Sequence, residues 1–370
     1  MLFRQIPVLA ISIPGMHQTP FPQHPTQGAL VNRHIRRIFI TAIAAAASIS
    51  LAACGGSSSS SASSSGTKTV TIRVQSESSI AAEPLYLGVE HGFFKAEGLD
   101  VKIVDLPDVS SAIAATQSGN LELAFDTTIG VLQSARQGVK LTMVAPSDGI
   151  NPKAADAPLD QQRNYTSVGV YTSKGSGITD MKGLKNATIA VPQLKAQPDA
   201  TITSVLHEAG VDTKGIKWLS LGFVPALTAL KSNQVDAAFL ASPFTLQADQ
   251  AGLKRVMNPS AVFFPKGSAT SAWVASQSWA KKNPDTVKRF QRAIAKSAQY
   301  ANDHIDEAKA HVIKRTGSKV DPKDMPHSYW PSTIDKGQLT QVDQKLVDIG
   351  FFPKPINTST LITPPAAGIQ

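Results

Sequence analysis

Residues 84–104 read Pro84-Leu85-Tyr86-Leu87-Gly88-Val89-Glu90-His91-Gly92-Phe93-Phe94-Lys95-Ala96-Glu97-Gly98-Leu99-Asp100-Val101-Lys102-Ile103-Val104. Pro84 suits the first turn of a helix, where its missing N–H is not needed. Leu85, Val89 and Phe93 recur four apart and predict one apolar helical face. Gly92 and Gly98 punctuate the segment, and residues 99–104 follow as a strand. A helix passing so quickly into a strand is the repeating unit of an α/β fold. Upstream, Val70-Thr71-Ile72-Arg73-Val74 alternates with period two and predicts a strand. Downstream come a helix over 110–117, with Asp108, Ser110 or Ser111 as its N-cap, and a turn at Gly119-Asn120. A strand over 121–125, a helix over 129–137 and a strand over 139–145 complete a β-α-β-α-β-α-β series, the pattern of a largely parallel sheet.

Residues 151–165 are polar and rich in Pro and Asp, as in a surface loop, and a strand is predicted over 166–171. The alternation restarts after Gly175. Strands are predicted over 187–191, 216–221, 235–240 and 253–257, with helices over 199–209, 225–232 and 243–250 between them. Ile202, Val205, Leu206 and Ala209 share one face of the first of these helices, and Gly210 fits its C′ position. A strand over 272–275 returns. A long helix then starts at Asn283-Pro284, with Val287, Phe290, Ile294 and Ala298 inward. Two α/β sets suit a chain of 370 residues, 42% of them hydrophobic and 17% charged. No apolar run reaches about 18 residues, which excludes a permease. Cys54 is the only cysteine, so a disulfide framework and a cysteine zinc site are excluded within one chain.

With these elements in place, the stretch from Pro84 to Val101 resembles the opening of the SsuA/THI5-like substrate-binding proteins. Gln117-Ser118-Gly119-Asn120-Leu121-Glu122-Leu123-Ala124-Phe125, Ile178-Thr179-Asp180-Met181-Lys182-Gly183-Leu184, Val235-Asp236-Ala237-Ala238-Phe239-Leu240 and Asn283-Pro284-Asp285 match in order and spacing. The resemblance covers roughly residues 69–300. It implies a type II periplasmic-binding fold: α/β, two lobes, an interlobe cleft and a two-strand hinge. Residues 68–172 and 262–366 are expected to form lobe 1, and residues 173–261 lobe 2. The implied role is solute capture for an ABC importer of the kind serving nitrate, sulfonate, taurine or thiamine-precursor pyrimidines. The implied partners are a small-molecule ligand and the permease and ATPase subunits. One branch of the family makes a pyrimidine and carries a cysteine cluster. The sole cysteine here is Cys54, so no enzyme and no cofactor are expected. A sensor or adhesion lipoprotein on the same fold is the remaining alternative.

The front of the chain has its own logic. Arg33, Arg36 and Arg37 form a positive n-region, residues 38–50 a short apolar h-region, and Leu51-Ala52-Ala53-Cys54 resembles a lipobox. This predicts a leader and lipoprotein signal over 1–53, with Val31 as the expected true start, and lipid on Cys54. Residues 54–67 are nearly all Ser and Gly, a flexible tether spanning on the order of 20 Å. The expected location is the extracytoplasmic face of the cell membrane, anchored by lipid. Net charge is +9, and Arg4 with the three n-region arginines leaves +5 for the rest. No basic block tracks a phosphate backbone, so no nucleic-acid partner is expected, and a monomer is.

In parallel α/β sheets ligands bind beyond the carboxyl ends of strands, where helix N-termini gather. The expected cleft residues are therefore Ser76, Ser78 and Ser79 after the first strand, and Ser110 and Ser111 after the second. Asp126, Thr127 and Thr128 follow the third. Gln193, Gln197, Phe223 and Ser242 face them from the second set. The competing explanation is local: Ser, Thr and Asp at helix starts are ordinary caps, worth about 1 kcal/mol each. Hydroxyls at positive helix ends favour a sulfonate, nitrate or taurine-type anion. No Trp or Tyr is placed in these loops to stack on a pyrimidine or related heterocycle, although Asp126 weighs towards one. No HExxH pair, GxSxG elbow or GxxxxGK[ST] loop occurs, so no catalytic or metal residues are expected. His304 and His311 are seven apart on a predicted helix, which suits a solvated face.

Overall fold

The computed structural model describes residues 68–369 apart from Ser78 and Pro107. The signal, Cys54, the tether and Ser78 therefore lie outside the described residues. In the first part of the chain β1 is Val70–Gln75, α1 Glu83–Glu90, α2 Phe93–Ala96, β2 Leu99–Val104, α3 Val109–Ser118, β3 Ala124–Thr127, α4 Thr128–Arg136 and β4 Leu141–Pro146. After a short α5, Leu159–Gln162, come β5 Val168–Thr172, β6 Thr188–Val191, α6 Gln197–Glu208, β7 Lys217–Ser220, α7 Phe223–Lys231, β8 Ala237–Ala241, α8 Phe244–Gln250, β9 Lys254–Met257 and α9 Pro259–Phe263. The last part holds β10 Ser271–Ser276, α10 Gln277–Lys282, α11 Pro284–Asp303, α12 Ile305–Thr316 and α13 Lys336–Asp348.

β1 and β2 pair in parallel, and β3-β10-β4 form a second ladder in which β10 runs antiparallel to both neighbours. A parallel bridge between Val74 and Leu123 joins these ladders, giving the order β2-β1-β3-β10-β4. The other sheet has the order β7-β6-β8-β5-β9, with β5 antiparallel to β8 and β9. Each sheet thus places its own second, first, third and fourth strands in one order, and inserts a strand from elsewhere between the last two. The strand expected over 166–171 at the end of lobe 1 is this inserted β5, paired in the second sheet. The chain therefore crosses between sheets before Val168, not after 172, and crosses back between Met257 and Ser271. A period of two marks a strand but does not choose its partner.

The opening helix differs from its expected form. Gly92 adopts φ 73°, a left-handed conformation that ends α1, and Phe93 opens α2. Val89 is 40% exposed, so the inward residues are Leu85, Leu87 and Phe94, not the row through Val89 and Phe93. Gly88 lets α1 approach α11 closely: a Cβ there would stand 2.1 Å from Ser297 Oγ. On α11 the expected Val287, Phe290, Ile294 and Ala298 are all buried. Around them Leu85, Phe94, Phe125 and Trp273 form the core behind the first sheet. A separate cluster of Tyr171, Leu227, Leu230 and Leu240 lies behind the second. A third cluster joins Met143 and Val274 of the first sheet to Val256 of the second and Val205 of α6, with Leu339 and Val342 of α13 among its members. Among the described residues no helix is long and apolar enough to cross a membrane, and no group of three or more His, Cys, Asp or Glu could hold a metal ion.

Candidate functional site

The crossing segments and strand ends enclose a cleft with about 530 Å³ of empty space, part of it open to solvent. Ile80 and Ala81 reach it from the turn after β1, and Asp148, Gly149 and Ile150 from the chain leaving β4. Tyr165 to Val168 line it on the way into β5, with Ser260 from α9 and Thr270 ahead of β10. Gln197 faces it from the start of α6, and Ser328 and Tyr329 close it from the C-terminal extension. Backbone pairing holds these distant pieces together: Gly149 bridges both Ala269 and Tyr329. Ser147 Oγ donates to the Ala81 carbonyl at 3.0 Å. At the start of α6, Asp199 accepts from the N–H groups of Lys195 and Ala196, both at 2.7 Å, which fixes the entry of Gln197.

Carboxylates dominate the electrostatics. Asp148 Oδ1 accepts from Thr270 Oγ1 at 2.8 Å and from Ser271 Oγ, and burial raises its pKa above the usual carboxylate value. Its Oδ2 receives no hydrogen bond from the described residues. Glu77 follows β1 and accepts from Ser79 Oγ. Burial lifts its pKa to about 7, and the nearby charge of Asp148 adds to the rise against the lowering by Ser79 and Arg315. Asp126, 5% exposed at the end of β3, is lifted to about 7 by burial, and the Thr127 N–H is its one donor at 2.7 Å. Arg315 is already committed: it donates to Glu83 Oε2 at 2.8 Å and to the Ser79 carbonyl at 3.1 Å, and lies over the Tyr86 ring. Glu83 is fully buried and also pairs with His311. Among the described residues no Lys or Arg lines the cleft.

Of the residues expected from sequence, Gln197 lines the cleft, and Ser79 sits immediately before the lining residue Ile80. Most expected hydroxyls are occupied by local bonds. Ser76 Oγ donates to the Glu77 carbonyl, and Ser79 Oγ accepts from Ala81 N. Ser111 bonds twice to Asp108, the N-cap of α3, and Ser110 beside it is exposed. Thr127 caps α4 through Gly130 N, and Thr128 Oγ1 donates to the Ala269 carbonyl. Gln193 is exposed, and Phe223 stacks on Phe244 at 5.7 Å. Ser242 Oγ is buried without a partner in the turn before α8.

The strand-end loops carry no Trp or Tyr, and the cleft receives Tyr165 and Tyr329 from elsewhere. Both come from segments outside the strand-end loops, one in the crossing and one in the extension. Sequence reasoning also missed Asp148 and Glu77. The acidic residue closely following each strand was the available signal, but its burial depends on distant segments.

Comparison with known proteins agrees with this architecture. The profile of the family described as NMT1/THI5 like matches residues 80–308. The putative binding protein YtlA of Bacillus subtilis is 24% identical over 301 residues, covering 77% of this chain and 84% of that protein. The yeast 4-amino-5-hydroxymethyl-2-methylpyrimidine phosphate synthase THI13 is 25% identical over 228 residues, 59% of this chain and 62% of that protein. The structure of the periplasmic aliphatic sulphonate binding protein SsuA from Escherichia coli superposes with a TM-score of 0.62 at 15% identity, covering 80% of this chain and 97% of that one. At that identity the likeness shows the fold.

Proposed function

The chain belongs to the NMT1/THI5 like family, and from that premise we propose that it is the solute-binding component of an ABC importer. The observation that carries this reading is the cleft at the crossing between two sheets of the same strand order, walled by residues from both. The proposed lobes meet at the segments 147–167 and 258–270, which act as the hinge. A small organic solute bound there closes the lobes, and the permease reads the closed form. The lipobox-like Leu51-Ala52-Ala53-Cys54 and the Ser/Gly tether support a lipid anchor on the extracytoplasmic face. The similarity to yeast synthases raises an enzymatic reading. The cysteine cluster of that branch has no counterpart in a chain whose only cysteine is Cys54.

Two measurements test the proposal. Small-angle scattering of the mature protein should show compaction when an aqueous metabolite extract is added, and the melting temperature should rise with extract dose. An extract that changes neither contradicts solute capture. Cys54→Ala should leave the chain unprocessed or mislocalised; normal processing and release would remove the anchor from the proposal.

A further inference from the structure

We propose that the captured solute is a small nitrogen-centred cation, an ammonium or amidinium, accepted by Asp148 and Gln197 in the cleft that Tyr165 and Tyr329 also line. This rests on the reading of the cleft as the solute site. The first argument is the balance of donors and acceptors. Gln197 Oε1 is buried without a partner. Asp148 spends one oxygen on Thr270 and Ser271 and keeps the other. Two lining hydroxyls are already committed: Thr270 Oγ1 donates to Asp148, and Thr166 Oγ1 donates to the Gln162 carbonyl at 3.2 Å. Asp148 and Gln197 each keep an acceptor oxygen for a ligand.

The second argument is charge. Asp148 is close enough to raise Glu77, and the groups facing the two are Ser79, Thr270, Ser271 and Arg315. Arg315 is the one cation among these, and it is held by buried Glu83. An anion in this cleft would meet at least one carboxyl with no counterion to offset it, forcing protonation. A cation supplies the missing partner.

Proton linkage follows with a definite sign. A bound cation favours the ionised carboxylates, so binding releases protons and tightens as pH rises through the region of the Glu77 titration near 7. The experiment is calorimetric titration of the mature protein with methylguanidinium, butylammonium and butane-1-sulfonate at pH 6 and pH 8. At least one of the two cations should bind saturably, roughly tenfold more tightly at pH 8, with proton release read from buffers of different ionisation enthalpy. Asp148→Asn should weaken that binding at least about tenfold, with circular dichroism and melting temperature reporting an intact fold. Binding of the sulfonate without either cation overturns the assignment, as does unchanged cation affinity in Asp148→Asn. Compaction by metabolite extract while neither cation binds also overturns it and leaves solute capture standing. No compaction by extract or probes brings down both.

Discussion

The two sheets share a strand order and differ in what they bring to the cleft. The first, ordered β2-β1-β3-β10-β4, carries Glu77 and Asp148 just beyond β1 and β4 and Asp126 inside β3, and of these Asp148 lines the cleft. The second, β7-β6-β8-β5-β9, brings a neutral group, Gln197 at the start of α6. The borrowed strands differ as well. β10 centres on Trp273, 1% exposed and edge-on to Phe125 and Phe290. β5 centres on Tyr171, whose hydroxyl accepts from Arg255 Nε at 2.9 Å. One topology, used twice, has one half organised around apolar packing and buried acids, and the other around the contact of Tyr171 with Arg255. Topology fixes where a cleft forms, and the side chains at the strand ends fix what each wall offers.

The sharpest way to break this contrast is Trp273→Ala. It opens a cavity where β10 meets two aromatic rings, and about 3–5 kcal/mol of stability should be lost in denaturant unfolding. A loss below about 1 kcal/mol would mean that β10 is not the keystone of the first half.

Asp126 tests the buried acids of the first half. Its folded pKa, raised to about 7, lies above the unfolded value of about 3.9. Its contribution is therefore fully present below pH 4 and is lost as pH rises through 7. Asp126→Asn should stabilise the unliganded protein at pH 8 by ~2–4 kcal/mol and flatten the dependence of melting temperature on pH between 4 and 8. An equally steep profile in the variant would place the pH dependence elsewhere.

Tyr171→Phe deletes the hydroxyl that meets Arg255 and Asp249 in the second half and should cost about 1 kcal/mol. A cost as large as that of Trp273→Ala would erase the difference between the two borrowed strands.

The smallest effect belongs to Ser242→Ala. Its hydroxyl is buried without a partner, so removal should change stability by less than about 0.5 kcal/mol. A loss of ligand affinity in that variant would add Ser242 to the neutral wall of the cleft.

Much of the fold was legible because it is written locally. The alternation over 70–74, the Gly/Asn turn at 119–120 and the inward row from Val287 to Ala298 each report on neighbours within a turn or a pleat. The site was less legible for the same reason. Ser111 and Thr127 look alike in sequence as ligands and as caps, and only the structure shows their bonds to Asp108 and Gly130. The opening helix shows the limit of periodicity: Val89 and Phe93 carry the right spacing, but Gly92 ends the helix between them.

The sequence by itself determined the order of strands and helices, the restart that makes two α/β sets, the family, and the lipobox-like signal ahead of them. Each follows from residues close together in the chain. Only the tertiary structure decided that β5 joins the second sheet, that half-buried Asp148 meets Thr270 and Ser271, and that Tyr329 bridges Gly149 and lines the cleft with Gln197. Those pairs lie 65 or more residues apart, and no local pattern encodes them. Desolvation, which turns an ordinary aspartate into a carboxyl in need of a partner, arises only when such distant segments close over it.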